Sequence, residues 1–226
     1  MAAAGSRQPE GSSALAFLCE AYWYPLYAYA RRSGDSPDEA QDHTQGFFAR
    51  FLEYGGIDRA DPERGRFRSF LLSSFKFYMH DESDRRRAQK RGGGVEILPF
   101  EISSGEELYM KETLHNETPE RIFERRWAWT LLDRTMKRLR EEFLRNGRVA
   151  HFDQLKDCLT GEPELHYAEL ARRLATTEGA VKTAIHRLRK RYRDLLRSEV
   201  AAIVADSADI DAELRYLIAA ISTGAR

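Results

Sequence analysis

The amino-acid sequence predicts an all-α protein built from two small helical domains. Apolar residues recur at spacings of three and four in nearly every periodic segment, and no segment alternates over the length of a strand. Two segments, at Ser36 and Thr118, also carry the signature of a helix start, a hydroxyl residue followed by proline and an acid. With 226 residues, 42% of them hydrophobic, the chain is large enough to bury real cores.

The first predicted domain spans residues 14–91 and follows a lead-in, residues 1–13, whose Ala, Gly and Ser content predicts disorder. Its first helix has one apolar stripe, and Pro25 marks a kink or a break between two short helices. Its second helix starts at Ser36-Pro37-Asp38-Glu39, where Ser36 accepts free N–H groups and Glu39 closes a capping box. The predicted stripe of the first helix comprises Leu15, Leu18, Tyr22, Leu26 and Tyr29.

A loop from Tyr54 to Gly65 precedes a third helix, predicted from Arg66 to Lys90 and ended by three consecutive glycines. Residues 92–117 are acidic and lack sustained periodicity, which predicts a linker and places the domain boundary there. The apolar stripe of the third helix comprises Phe67, Phe70, Leu71, Ser74, Phe75 and Tyr78.

The second predicted domain spans residues 118–200. Thr118-Pro119-Glu120 starts a long amphipathic helix that stops near Asn146-Gly147, and a short helix follows around 151–159. Residues 201–226 form a C-terminal extension with apolar residues at helical spacing, which predicts either an extra helix packed on a domain or a regulatory, partner-binding element.

The charge of the chain is balanced but segregated. Residues 66–91 hold eight Lys and Arg against three acids, a net charge of +5, and residues 182–197 hold seven against one, a net charge of +6. Residues 96–120 carry seven Glu and one Lys. Two cationic elements separated by an anionic stretch favour a polyanionic partner despite the net charge of zero.

The segment from Tyr167 to Leu196 predicts a helix-turn-helix. A short helix with Ala171 on its packing face is followed by a break at 175–177, and Thr177 is an N-cap for the second helix. The second helix buries Val181, Ala184, Ile185, Leu188, Tyr192 and Leu195 and presents Lys182, Thr183, His186, Arg187, Lys190 and Arg193 outward. The alternative is a helical hairpin with a solvated basic face. A face with seven basic residues and one acid would be destabilised by repulsion between its like charges, which favours DNA binding.

The third helix carries a different chemistry. Phe75, Phe77 and Tyr78 lie beside Lys76, and more basic residues follow. Aromatic rings stack on unpaired bases while cations follow phosphates, so this pattern favours single-stranded nucleic acid. The alternative, that residues of this helix are simply core, holds for Phe70, Leu71 and Phe75.

Three segments in this order resemble the extracytoplasmic-function (ECF) group of bacterial RNA polymerase sigma factors, within the sigma-70 superfamily. They are SPDEAQDHTQGFF at 36–48, DPERGRFRSFLL at 61–72, and YAELARRLA at 167–175 leading into EGAVKTAIHRLRKRYR at 178–193. The resemblance covers about 14–91 and 118–200, and three ordered segments are far more specific than one.

The resemblance implies a transcription initiation factor whose partners are core RNA polymerase, promoter DNA and a regulatory protein such as an anti-sigma protein. The second helix would contact the polymerase clamp through Asp38, Glu39, Asp42 and Gln45. The loop from Tyr54 and the helix after it would hold the melted minus-ten element, the basic face from Lys182 would read the minus-thirty-five duplex, and the acidic linker would thread the polymerase channel. The implied single-strand contacts are Arg66, Arg68, Lys76, Phe77, Tyr78, Arg85, Arg86 and Lys90.

The chain departs from the family pattern at four positions. His43 stands where an apolar residue is common and Gly46 where an acid is common. Ala175 and Thr176 replace a glycine and an apolar residue in the turn, which predicts a tighter or shifted geometry.

Other functional classes fit less well. His43, His80 and His151 have no second metal ligand at a useful spacing, so neither an enzyme nor a metal or other cofactor is expected. Cys19 and Cys158 form no CxxC pair, and no signal peptide or apolar run long enough to span a bilayer is seen, which predicts a reduced, cytoplasmic protein without membrane insertion. The remaining rival is a dimeric helix-turn-helix regulator that binds duplex DNA without polymerase.

Overall fold

The computed structural model describes residues 9–56, 59, 65–88, 103–110, 117–159, 167–204 and 206–222; for 9–17, 86–88, 103, 104, 107 and 108 it describes the backbone. The predicted all-α class is confirmed, since the described residues contain helices and turns and no strand. The helices are α1 (Pro9–Arg32), α2 (Pro37–Glu53), α3 (Phe67–Ala88), α4 (Ser103–Met110), α5 (Pro119–Arg145), α6 (Val149–Leu155), α7 (Tyr167–Arg173), α8 (Glu178–Ala201) and α9 (Ile210–Ser222). None of these described helices combines the length and hydropathy needed to cross a bilayer.

The chain folds into two compact units whose limits differ from the predicted domains. The first unit ends at Thr130 and resumes at Ile203, and the second unit is Leu131–Ala202. The first turns of α5 therefore belong to the first unit, where Phe123 packs on Tyr22 of α1. Helix α9 also belongs to it, and its Glu213 pairs with Arg66 and Arg68.

The start signals found in the sequence operate as predicted. Ser36 accepts a hydrogen bond from the Glu39 N–H at 3.3 Å, and the Glu39 carboxylate accepts one from the Ser36 N–H at 3.0 Å. The Thr118 hydroxyl likewise accepts from the Arg121 N–H at 3.3 Å at the start of α5. These caps satisfy donors that the first turn of a helix leaves unpaired.

Helix α1 corrects two expectations. It begins at Pro9, so residues 9–13 of the predicted disordered lead-in are helical, while residues 1–8 lie outside the described residues. It also continues through Pro25 instead of breaking into two helices. Pro25 removes one backbone hydrogen bond, but it lies in a stretch where Tyr22, Leu26 and Tyr29 are buried, and this packing maintains the helix.

Aromatic rings form much of the core of the first unit. Phe75 of α3 is fully buried and meets Phe47 of α2 at a ring distance of 5.1 Å and Tyr29 of α1 at 6.1 Å. Tyr22 of α1 packs against Phe123 of α5 at 6.3 Å. Edge-to-face contacts of this kind add to the free energy of burial, so α1, α2, α3 and the start of α5 share one core.

Part of the predicted linker is a helix packed on the first unit. Glu106 of α4 accepts hydrogen bonds from Arg31 of α1 at 2.9 and 3.0 Å and from the Tyr27 hydroxyl at 2.5 Å. Arg31 also lies 5.0 Å from the ring centre of Tyr109. The rest of the linker, apart from Glu117, lies outside the described residues. The segment lacks sustained periodicity, so the sequence did not indicate α4, which docks through Glu106 and through Tyr109, packed against Ala28 and Ile122.

The second unit has a separate apolar core. Leu139 of α5, Phe152 of α6, Leu170 of α7 and Ile185 of α8 are among its buried members. The short helix predicted near 151–159 is α6 followed by a 3-10 turn, Lys156–Leu159. Helices α5, α6 and α7 and the 3-10 turn thus pack against the buried face of α8.

We predict that Phe75→Ala lowers the free energy of unfolding by about 3–5 kcal/mol, because a fully buried ring leaves a cavity that the core cannot fill. Phe77→Ala is the matched control, since Phe77 lies two residues along the same helix and is 76% exposed. Its effect should stay within about 0.5 kcal/mol. Urea unfolding followed by circular dichroism measures both values, and equal losses would contradict the packing described for α3.

We also predict that α4 leaves α1 in acid. The hydrogen bonds from Arg31 hold the pKa of the Glu106 carboxyl below its usual range. A lowered folded-state pKa contributes stability that is present above the ordinary pKa of Glu and is lost as the pH falls through the lowered value. Hydrogen-exchange protection factors of 103–110 should therefore fall in acid, and Glu106→Gln should lower them already at pH 7. Unchanged protection in the Gln variant would show that apolar contacts alone hold α4.

Candidate nucleic-acid interface

In the second unit, α7 and α8 are joined by a tight turn. The backbone N–H groups of Leu174 and Thr176 donate to carbonyls of α7 at 2.9 Å, and Ala175 has a φ of 49°. This is the left-handed region, which alanine adopts at a cost of about 1–2 kcal/mol. The turn thus forms without the glycine that was expected there, at the expense of local strain.

Helix α8 begins where the sequence predicts. The Thr177 hydroxyl accepts a hydrogen bond from the Ala180 N–H at 3.2 Å. Of the six residues predicted to face the core, Val181, Ile185, Leu188 and Leu195 are buried, and Ala184 and Tyr192 are half-buried and pack against them. The opposite side of α8 is therefore the side available to a partner.

The six predicted duplex-reading residues are all exposed on α8. Thr183 donates to the Gly179 carbonyl at 2.9 Å, and the Lys182 ammonium lies 5.2 Å from the ring centre of Tyr167. None of the ion pairs between described residues involves the Lys or Arg side chains of this face, so no described carboxylate neutralises their charge. The exposed set is Lys182, Thr183, His186, Arg187, Lys190 and Arg193.

Other charged residues of α8 fix the helix in place. Arg191 donates to Glu142 of α5 at 2.8 and 2.5 Å, and Arg189 donates to the Cys158 carbonyl at 2.8 Å. Near the end of α8, Glu199 is 1% exposed and accepts from two arginines of α5, Arg134 at 3.1 Å and Arg138 at 2.6 Å. These contacts orient α8. They also pair Arg189 and Arg191 with groups of the protein itself.

In the first unit, α2 and α3 border a pocket of about 400 Å³ rich in aromatic rings. Phe77 at its edge is 76% exposed and Tyr54 is 58% exposed. Two arginines also line it, and one of them, Arg50, lies 5.9 Å from the ring centre of Tyr78. The lining aromatic residues are Phe47, Phe51, Tyr54, Phe70, Phe77 and Tyr78.

The structure brings together two of the predicted single-strand contacts, Phe77 and Tyr78, in this pocket. The predicted cations are placed differently. Lys76 pairs with Glu120 at 2.6 Å and Arg85 with Glu82 at 2.8 Å, both at the surface. The side chain of Arg86 and the whole of Lys90 lie outside the described residues.

Arg68 requires a correction. It was predicted to face nucleic acid, but it is 3% exposed and forms an ion pair with Glu213 of α9, which also pairs with Arg66 at 3.3 Å. Burial lowers the pKa of the Arg68 guanidinium, which also lies 4.8 Å from the ring centre of Trp127. The extension therefore covers a position assigned to the candidate interface.

The sequence predicted that the whole loop from Tyr54 belongs to the candidate site. It did not single out three residues that line the pocket: Arg50, Tyr54 and Arg59. Arg50 and Tyr54 are four residues apart at the end of α2, and Arg59 lies within the loop. Arg50 and Tyr54 stand at i and i+4, immediately before Gly55-Gly56. This spacing places a cation beside an aromatic ring and was a signal for this part of the pocket.

The acidic side of α2 is partly as predicted. Asp38, Glu39 and Asp42 are exposed, although Glu39 is engaged in the capping box. Gln45 is half-buried, and its amide atoms are shielded from solvent with no hydrogen-bond partner in the described part of the chain. Gln45 therefore does not share the exposed surface of the other three.

The two departures on α2 have structural reasons. His43 is buried, and its Nδ1 lies 2.7 Å from a carboxylate oxygen of Asp35. A Cβ at position 46 would overlap the hydroxyl of Tyr78, so Gly46 permits the close approach of α3. An acidic residue at this position would displace the Tyr78 ring.

Within the described ranges, no group of three or more His, Cys, Asp or Glu residues is placed to hold a metal ion. Comparison of the chain with known protein families, with curated proteins and with solved structures finds no match.

Proposed function

We propose that this protein is a sigma-type transcription initiation factor that binds core RNA polymerase and directs it to promoters. The observation that carries the proposal is the uncompensated basic face of α8, placed after a short helix and a tight turn. In this role the chain performs no bond chemistry, because the polymerase makes the RNA.

The basic face of α8 suits duplex DNA. At about 100° per residue its six residues fall within an arc of about 140°, and Lys182 and Arg193 are about 16 Å apart along the axis. The major groove of B-DNA is about 12 Å wide and admits one α-helix. Residues near the N-terminus of α8, such as Lys182 and His186, would meet base edges, while Lys190 and Arg193 would meet phosphates.

The pocket of the first unit suits an unpaired base. Each base stacked on an aromatic side chain contributes about 1–3 kcal/mol to single-strand binding, and Phe77 and Tyr54 offer exposed rings at the pocket. Arg59 supplies positive charge for the adjacent phosphates, and Arg50, which lies 3.8 Å from Asp81 at the same pocket, would do so by exchanging partners. A duplex reader in one unit and a base-holding pocket in the other together favour promoter opening over simple duplex binding.

The exposed acids of α2 suit the polymerase. Asp38 and Asp42 are four residues apart and lie on one face of the helix. This face is distinct in charge from both candidate nucleic-acid sites, so a basic surface of the polymerase clamp is its proposed partner.

The rival function is a dimeric regulator that acts on duplex DNA alone. Gel shifts with and without core polymerase separate the two functions. The initiation factor should co-purify with core polymerase and shift promoter DNA strongly only in its presence. Tight binding of the isolated protein to a palindromic duplex, without any association with polymerase, would establish the regulator instead.

We predict that Arg187→Glu abolishes promoter-directed transcription and leaves polymerase binding intact, because a base or phosphate contact becomes a repulsion. Loss of one good base contact costs about 1–3 kcal/mol, and reversal of its charge costs more. Run-off transcription and co-purification measure the two activities. Lys137→Glu, the same charge change at an exposed site on α5, is the control and should transcribe normally.

We predict the opposite pattern for Asp42→Lys. Charge reversal on the acidic face of α2 should weaken polymerase binding at least tenfold, about 1.4 kcal/mol, while duplex binding by the second unit is unchanged. Asp209→Lys reverses an exposed acid elsewhere in the first unit and should retain polymerase affinity. If both variants bind polymerase like the unmodified protein, α2 is not the docking helix.

A further inference from the structure

We propose that α9 is a displaceable cover over a cationic site for single-stranded DNA, in which Glu213 takes the position of a nucleic-acid phosphate. This inference rests on the proposed function and adds its regulation. Three features of the first unit support it: the partners of Glu213, the narrow contact made by α9, and the position of Arg66 relative to the aromatic pocket.

The first feature is the buried ion cluster. The Glu213 side chain is 6% exposed and its two carboxylate oxygens contact the guanidinium groups of Arg66 and Arg68. The ring of Tyr216 lies against the same groups, with its centre 4.9 Å from the Arg66 Cζ and 3.7 Å from the Arg68 Cζ. An anion with two oxygens between two arginines is the arrangement in which proteins also bind phosphate.

The second feature is the small apolar contact of α9. Ile210 and Leu217 are its fully buried apolar residues, Leu214, Tyr216 and Ile221 are half-buried, and Ile218 is 58% exposed. The buried ion pair adds little net stability, because the cost of removing both charges from water offsets most of their attraction. A competing anion therefore needs to overcome a limited free energy to displace α9.

The third feature is continuity with the pocket. Arg66 immediately precedes α3, and Phe70, Ser74 and Phe77 follow it at spacings that place them on one helical face. One DNA strand whose base occupies the pocket can therefore continue along α3 toward Arg66. In the closed state Glu213 and Tyr216 occupy that end of the path.

The experiment uses full-length chains and a fluorescein-labelled single-stranded 12-mer DNA. Glu213→Gln removes the competing charge, and Leu217→Asp detaches the apolar side of α9. Each has a matched control on the same segment: Asp209→Asn, an exposed acid, and Ile218→Asp, an exposed apolar residue next to Leu217. Fluorescence anisotropy measures affinity, and circular dichroism verifies that each variant is folded.

We expect both opening variants to bind the 12-mer about tenfold more tightly, the gain that follows when the open state is about a tenth of the population. Both controls should bind like the unmodified protein. Adding Arg66→Gln to Glu213→Gln should remove the gain. Equal affinity of the opening variants and the unmodified protein would overturn the cover, while normal promoter-directed transcription would leave the proposed function standing.

A second measurement on the unmodified chain decides the matter if the variants unfold. Hydrogen exchange of α9 should accelerate when the 12-mer is added at saturating concentration, because the bound strand displaces the helix. Unchanged or slower exchange of α9 would overturn the inference. If no form binds the 12-mer and none recruits polymerase to a promoter, the proposed function fails together with it.

Discussion

A carboxylate removed from water requires cations beside it, and both units of this protein place a buried carboxylate between two arginines. Glu199 is held by Arg134 and Arg138, and Glu213 is held by Arg66 and Arg68. Removing one member of such a group leaves an uncompensated buried charge, which costs about 3–5 kcal/mol. Glu199 fixes the end of α8 on α5, so the exposed face of α8 depends on it. Glu213 fixes α9 on the start of α3, so access to that end of α3 depends on it.

The two candidate nucleic-acid sites differ in how many of their cations are paired with carboxylates. In the first unit, every described cation predicted to contact a single strand already has a carboxylate partner: Arg66, Arg68, Lys76 and Arg85. In the second unit, none of the ion pairs between described residues involves Arg187, Lys190 or Arg193. Much of the affinity for DNA comes from counterions that leave the DNA when a protein cation neutralises a phosphate, and a cation that stays paired with a carboxylate neutralises none. Under the proposed function, the cations of α8 therefore meet phosphates directly, whereas the paired cations of the first unit must first leave their carboxylate partners.

Local signals in the sequence predicted local structure well. The capping box at Ser36, the cap at Thr177 and the buried face of α8 depend on residues within a few positions of each other, so spacing alone identified them. The failures concern pairings between distant residues. In the sequence, Arg68 cannot be distinguished from a surface cation, because its partner Glu213 lies far along the chain. The sequence predicted a linker where α4 lies. The hydrogen bond from Arg31 to Glu106 joins residues 75 positions apart, so no local pattern indicates it. The sequence predicted the loop from Tyr54 and two rings of the following helix, Phe77 and Tyr78, but not the pocket, because its lining depends on how α2 meets α3.

Gly46 and Ala175 both act through packing in this structure. Gly46 gives up helix propensity of about 1 kcal/mol, yet a larger residue would overlap Tyr78, whose ring lines the pocket. The glycine therefore preserves the position of an aromatic ring under the proposed function, whereas an acid there would serve polymerase contact at the expense of that ring. Ala175 accepts left-handed strain in the turn before α8, and the burial of Leu170, Ala171 and Val181 on either side of it holds the turn closed. Gly46 allows α3 to approach α2, and Ala175 forms the turn that sets the start of α8. In both places a single residue determines the position of a helix that carries a candidate site.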